Sequence, residues 1–180
     1  LLVLIGIGLI VFFNSAYVVK ETEQVIITEL GKPVGEPITE AGLHFKMPFV
    51  QKVNRLEKRF LPWDGPANEM PTKEKTYIII DTFARWRISD PKEYFLSLRD
   101  QRRALSRLDD ILGSETRNAV ANHAILEIVR STNREPIFDS DSNVSTNNWG
   151  SIEIGRAKLE KQIKDEAAPK LKELGIELLE

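Results

Sequence analysis

Residues 76–100, TYIIIDTFARWRISDPKEYFLSLRD, decide the fold class, because the chain changes its structural period inside them. From Tyr77 to Ile88 the side chains alternate as on a strand. Ile78, Ile80, Thr82, Ala84, Trp86 and Ile88 share one face, and Tyr77, Ile79, Asp81, Phe83, Arg85 and Arg87 share the other. Ser89-Asp90-Pro91 then reads as a helix start. Asp90 offers a carboxylate to the first free N–H groups, and Pro91 sits where no N–H is needed, so Lys92 to Leu98 is predicted as a short helix. A β-rich part therefore precedes a part of mixed α and β, with the boundary near Asp90.

Upstream of that boundary, EQVIITELGKPV (23–34) carries the β-branched run Val25 to Thr28 into a Gly-Lys-Pro turn, a strand entering a loop. AGLHFKMPFV (41–50) alternates Leu43, Phe45, Met47 and Phe49 against His44, Lys46 and Pro48, the pattern of a strand with one apolar face. A further short strand is predicted in Val50 to Leu56.

Downstream, Leu105, Leu108, Leu112, Ala119, Ala124 and Ile128 recur at helical spacing from Asp100 to about Arg130, as one or two helices with Gly113 as a weak point. NREPIFDSDSNVSTNNWG (133–150) is polar and reads as a long loop. The last helix is expected over Ile152 to Leu174, on the stripe Leu159, Ile163, Ala167, Leu171 and Leu174. An interior Pro169 costs about 3 kcal/mol and predicts a kink or a break near Ala168. Gly175 ends the helix and Ile176 to Leu179 starts another strand, whose partners lie elsewhere.

The amino end is of a different kind. LLVLIGIGLIVFFNSAYVV (1–19) holds no charge, and all 25 basic and 27 acidic residues lie at or beyond Lys20. As a helix it would extend about 28 Å at about 1.5 Å per residue, close to the roughly 30 Å hydrocarbon core of a bilayer. The expectation is one transmembrane helix over 1–19, with Leu1, Leu4, Leu9, Phe12 and Phe13 in lipid and Tyr17 at the interface. A buried helix and a cleaved signal peptide are the competing readings. The apolar run exceeds the usual signal-peptide core of about 7 to 15 residues, and Val18-Val19-Lys20 is a poor cleavage site. The chain begins without Met, so a short preceding flank is expected; without it the direction across the bilayer is open.

Zero cysteine excludes thiol nucleophiles, thiolate zinc sites and disulfide frameworks. A formal net charge of −2 supplies no basic field for nucleic acid. His44 and His123 are the only histidines. His123 with Ser114 and Asp110 would complete a hydrolase triad on paper, but no G-x-S-x-G elbow or H-E-x-x-H pattern accompanies them. Asp109-Asp110 and Glu115 lack the alternate spacing and glycine turn of an oxygen-ligand loop and read as a solvated or inter-subunit face. Gly6 and Gly8 follow no strand and are no nucleotide loop, and the Asn143 sequon carries no weight. In Arg85-Trp86-Arg87 the tryptophan faces opposite to both arginines, which favours core packing flanked by salt bridges over a stacking platform for single strands. No catalytic, cofactor or metal residue is assigned. Leu43, Phe45, Met47 and Phe49 read either as an ordinary core face or as side chains touching the bilayer beside the anchor.

Five segments in order carry a resemblance: the apolar start, VVKETEQVIITELGKPV, AGLHFKMPFV, PTKEKTYIIIDTFARWRISDP, and LDDILGSETRNAV with EIVRSTNRE and LKELGIELLE behind it. The chain resembles the stomatin, prohibitin, flotillin and HflK/C group, the SPFH or band 7 family. The resemblance implies an α+β protein: an N-terminal transmembrane helix (1–19), a β-rich membrane-proximal subdomain (20–90) and an α/β subdomain (91–180), with a long helical region expected beyond. It implies a membrane-anchored, non-enzymatic scaffold that pairs with an HflK-like paralogue in a ring or cage and regulates a membrane AAA protease of FtsH type. The implied setting is the bacterial inner membrane, with lipid contact and the body on the periplasmic side. A stomatin-like organiser that binds lipid or a channel is the alternative. The charged helical faces, with Arg102, Arg103, Asp109, Asp110, Glu115, Arg117, Lys158 and Lys161, are the expected neighbour contacts.

Overall fold

The computed structural model describes residues 13–133 and 150–180. Two small sheets build its first core. The β-branched run makes β2 (Glu23–Glu29), which pairs antiparallel with the short β3 (Lys32–Pro33) on one side and β5 (Gln51–Glu57) on the other, in the register Glu29↔Gln51 and Glu23↔Glu57. Beside them β1 (Ala16–Val19) pairs antiparallel with β4 (Gly42–Phe45). Tyr17, Val19 and Val25 form the buried centre, with Ile27, Ile38 and Val53 packed against it.

The strand β1 corrects the expected span. Residues 16–19 are not helical, and Tyr17, read as an interfacial anchor, is buried inside the protein. Its period is that of a ribbon with one wet face: Tyr17 and Val19 point inward and Val18 outward. Leu1, Leu4, Leu9 and Phe12 lie outside the described residues. Among the described residues no helix is long and apolar enough to cross a membrane.

The stretch Tyr77 to Ile88 keeps its two predicted faces but forms two strands. β8 (Tyr77–Ile80) pairs with β7 (Asn68–Pro71), whereas β9 (Phe83–Ile88) lies between β6 (Leu61–Asp64) and the terminal β10 (Ile176–Leu178). The chain end thus finds its partner in the middle of the chain, with Ile176 opposite Ile88 and Leu178 opposite Trp86.

The helices follow their caps. The Asp90 carboxylate accepts from Lys92 N at 2.9 Å and Glu93 N at 3.1 Å to start α1 (Pro91–Ser97), and Asp100 accepts from Arg103 N at 3.0 Å to start α2 (Gln101–Asn122). α2 runs through Gly113 unbroken, since one interior glycine costs only about 1 kcal/mol against many turns of packing. A short α3 (Ile125–Val129) follows, then α4 (Arg156–Lys172), which begins four residues later than expected because Gly155 holds a positive φ of 77°. α4 contains Pro169 without ending there, so no break occurs near Ala168. The packing of Ala167 and Leu171, both fully buried, outweighs the lost N–H.

Trp63, Ala84, Trp86 and Ile88 share the large core with Tyr94, Leu98, Ala104, Leu108, Leu112, Ala167, Leu171, Ile176 and Leu178. The two cores therefore do not divide at Asp90: β6 and β9 precede it in sequence yet belong to the helical unit. Gly175 locks that unit. Its carbonyl accepts from Ser89 N and Asp90 N at 3.0 and 3.1 Å, and a Cβ there would lie 2.4 Å from the Asp90 carbonyl oxygen.

Candidate functional site

The alternating residues of 41–50 are not a core face. Leu43, Phe45, Met47 and Phe49 are 61%, 56%, 64% and 85% exposed. Only the first two lie on β4. The strand stops at Phe45, and residues 48–50 make a turn in which Phe49 has a φ of 68°. The opposite ribbon residue Val18 pairs with Leu43 and adds to the same apolar surface.

A chain of hydrogen bonds places these residues at one end of the β-rich unit. Lys46 N donates to the Ser15 carbonyl at 2.8 Å, Met47 N donates to Gln51 Oε1 at 2.8 Å, and the Gln51 N–H reaches the Met47 carbonyl at 3.1 Å. Gln51 is the register partner of Glu29, beyond which lies the Leu30-Gly31 turn. Exposed Phe13, where the apolar run enters the described fold, is two residues from Ser15. The apolar end thus lies where Phe13 enters the described fold.

Of the expected neighbour contacts, Arg102, Arg103, Asp110, Arg117, Lys158 and Lys161 are exposed on α2 and α4. Two others are engaged within the fold. Glu115 is only 5% exposed and forms an ion pair with Lys170 that joins α2 to α4, a correction to its assignment to an outer face. The Lys170 ammonium hydrogen-bonded to it holds the Glu115 carboxyl below its ordinary value. Asp109 accepts from the Trp63 indole Nε1 at 2.6 Å. Trp86 is fully buried, while Arg87 pairs with Glu177 across β9 and β10 and Arg85 pairs with Glu180, just beyond the end of β10.

Reading the sequence alone missed a clasp around α3. The Glu127 carboxylate accepts from the backbone N–H groups of Glu153 (2.6 Å), Ile154 (3.0 Å) and Gly155 (2.6 Å), which lowers its pKa. Asn133 closes a reciprocal pair with the Ile152 backbone at 2.7 and 2.9 Å. The residues concerned, E-I-V-R-S-T-N, lie within one of the family segments, but their partners lie some twenty residues on. A second apolar surface was also missed: Ile79 and Phe83 are exposed at a groove of about 1050 Å³ floored by Trp63, Leu112 and Leu159.

The histidines are not brought into a catalytic array. His44 lies on β4 with its ring 5.9 Å from that of Tyr17, and His123 caps α2 with its ring bonded to the Ala119 carbonyl at 2.7 Å. Among the described residues no three His, Asp or Glu side chains are grouped to hold a metal ion.

This geometry defines a class: a two-core α+β module that presents an apolar end where its first described residue, Phe13, enters the fold, and charged helical faces on its second core. Residues 17–180 match the model of the SPFH domain / Band 7 family, and the chain belongs to that family. It is 33% identical to Protein HflC of Borreliella burgdorferi over 99% of this chain and 57% of that protein. It is 32% identical to Protein HflC of Treponema pallidum over 94% of this chain and 55% of that protein. The Modulator of FtsH protease HflC of Escherichia coli is 39% identical over 52% of this chain and 30% of its own length. The chain thus spans about half the length of the two spirochaete relatives.

Proposed function

We propose that the chain is a membrane-anchored scaffold subunit that co-assembles with an HflK-like paralogue and regulates a membrane AAA protease of FtsH type by controlling substrate access. The observation that carries this reading is the exposed apolar end, which lies where Phe13, the last residue of the apolar amino-terminal sequence, enters the described fold. A soluble module would bury Leu43, Phe45, Met47 and Phe49 or replace them, whereas a module seated on a bilayer transfers them to an apolar phase. The similarity to proteins named HflC, one of them a modulator of FtsH protease, supports the protease as the regulated partner.

Assembly is the mechanism in this reading. A wall of subunits admits or excludes substrates without any catalytic group, and tethering every copy in one plane raises the local concentration that assembly needs. Arg102, Arg103, Asp110, Arg117, Lys158 and Lys161, with the apolar groove beside Ile79 and Phe83, supply the neighbour contacts. The setting is the bacterial inner membrane, with the body of the chain on the periplasmic side.

Gentle detergent extraction from native membranes, with mass spectrometry of the co-purifying proteins, tests this. A paralogue together with an AAA protease is expected. Recovery with a channel and no protease would replace the reading with that of a membrane organiser.

A further inference from the structure

Leu30 is the most exposed large apolar residue described, at 94%, and it occupies an unusual place. It and Gly31 form the two-residue loop between β2 and β3, with φ of 49° and 86°, the signs of a type I′ hairpin turn. Such a turn favours Asn, Asp or Gly at its first position, because a side chain with a Cβ is strained there. A lone exposed leucine on a surface needs no explanation. This one is not alone. Phe49, also at a left-handed φ of 68°, follows the same pattern at the start of β5, and the Glu29↔Gln51 register sets both turns at one end of the sheet. Two large apolar side chains are each held out on a strained backbone, at the end where the apolar amino-terminal run enters.

The charges around this end are mostly of one sign. Lys32 and Lys52 are exposed, and Lys46 Nζ donates to the Gln51 carbonyl at 3.2 Å. Glu29, opposite Lys32 and Gln51, is the acidic residue among them. Apolar tips that enter the acyl boundary, ringed by ammonium groups at headgroup depth, suit a surface of anionic phospholipid.

We propose that the Leu30-Gly31 hairpin tip and the Phe49 turn form a paired wedge that inserts into a bilayer, and that Lys32, Lys46 and Lys52 select bilayers with anionic phospholipid headgroups. The proposal rests on the membrane-seated reading above and names the lipid class for it. The lysines supply long-range attraction, and the two tips supply depth. Neutralising one lysine weakens docking on an anionic surface about fivefold.

The absence of native cysteine from these 180 residues allows a direct test. Single variants Leu30→Cys, Phe49→Cys and Leu96→Cys, the last at an exposed residue of α1, are labelled with an environment-sensitive fluorophore. Each is reconstituted in phosphatidylcholine vesicles, with and without phosphatidylglycerol, containing lipids with a nitroxide on the acyl chain. The expected result is a blue shift and nitroxide quenching at positions 30 and 49, stronger with phosphatidylglycerol, and neither effect at 96. Lys32→Gln, Lys46→Gln and Lys52→Gln together should abolish the preference for phosphatidylglycerol. Quenching at 49 but not at 30 would overturn the paired wedge while leaving the membrane-seated reading intact. Quenching at neither position would overturn both. A blue shift at 30 without quenching would mean that protein, such as a second copy, covers the tip. Quenching indifferent to phosphatidylglycerol would overturn the lipid selectivity.

Discussion

The Trp63 indole donates to Asp109 Oδ1 at 2.6 Å, and this bond fastens β6 to the middle of α2. It ties a strand that precedes Asp90 to the helical unit behind it. Asp109→Ala leaves the buried indole N–H without a partner and should cost about 1–3 kcal/mol in urea unfolding. Asp109→Asn keeps an acceptor and should cost less. The neighbouring Asp110→Ala, on an exposed side chain, should stay within about 0.5 kcal/mol.

Gly175 and Gly31 both hold positive φ, yet only the first is crowded. Gly31→Ala meets no atom within 4 Å and should cost only the conformational penalty of about 1–2 kcal/mol. Gly175→Ala adds contacts of 2.4 Å with the Asp90 carbonyl oxygen and 2.6 Å with Tyr94 N, so it should destabilise clearly more. Thermal melts of the two variants side by side check the order.

Acid should loosen the fold through Glu115 and Glu127. Lys170 lowers the first carboxyl and the Glu153, Ile154 and Gly155 N–H groups lower the second, both from 4.5. Folded values below the unfolded value mean that the stabilisation is fully present above about pH 4.5 and is lost as pH falls through the folded values. Glu127→Gln should lower stability at neutral pH and flatten its decline in acid. Urea unfolding across that pH range reads both changes.

Phe45→Ser with Phe49→Ser should leave the melting temperature nearly unchanged, because both side chains are exposed. In a chain starting at Phe13, just ahead of β1, the same pair should sharply reduce flotation with vesicles. Unchanged flotation with intact folding would contradict membrane contact at this end.

What the sequence made legible followed from local rules. The faces of 77–88, the Asp90 cap and the Gly175 stop depend on neighbouring residues, and all three stand in the fold. The pattern at 41–50 misled because alternation reveals neither where pairing stops nor whether a face is covered: Leu43 and Phe45 are exposed on the paired strand β4, and Met47 and Phe49 lie beyond its end. Ala16–Val19 is uncharged like the run before it, so the charge boundary at Lys20 could not separate a strand from a span; the inward Tyr17 and Val19 against the outward Val18 show the difference. β6 and β7 contain Pro62 and Pro71, which argue against central strands but are tolerated at edges. Glu115, Asp109 and Glu127 have partners 55, 46 and up to 28 residues away, beyond any local signal.

The central claim, control of substrate access to a membrane protease, is tested most directly by substrate turnover. The decay of a membrane-embedded and of a soluble substrate of the co-purifying protease is followed by pulse-chase in cells with and without this chain. Removing the chain should change the lifetime of the membrane-embedded substrate and leave that of the soluble one as it was. Equal lifetimes for both substrates with and without the chain would contradict the account.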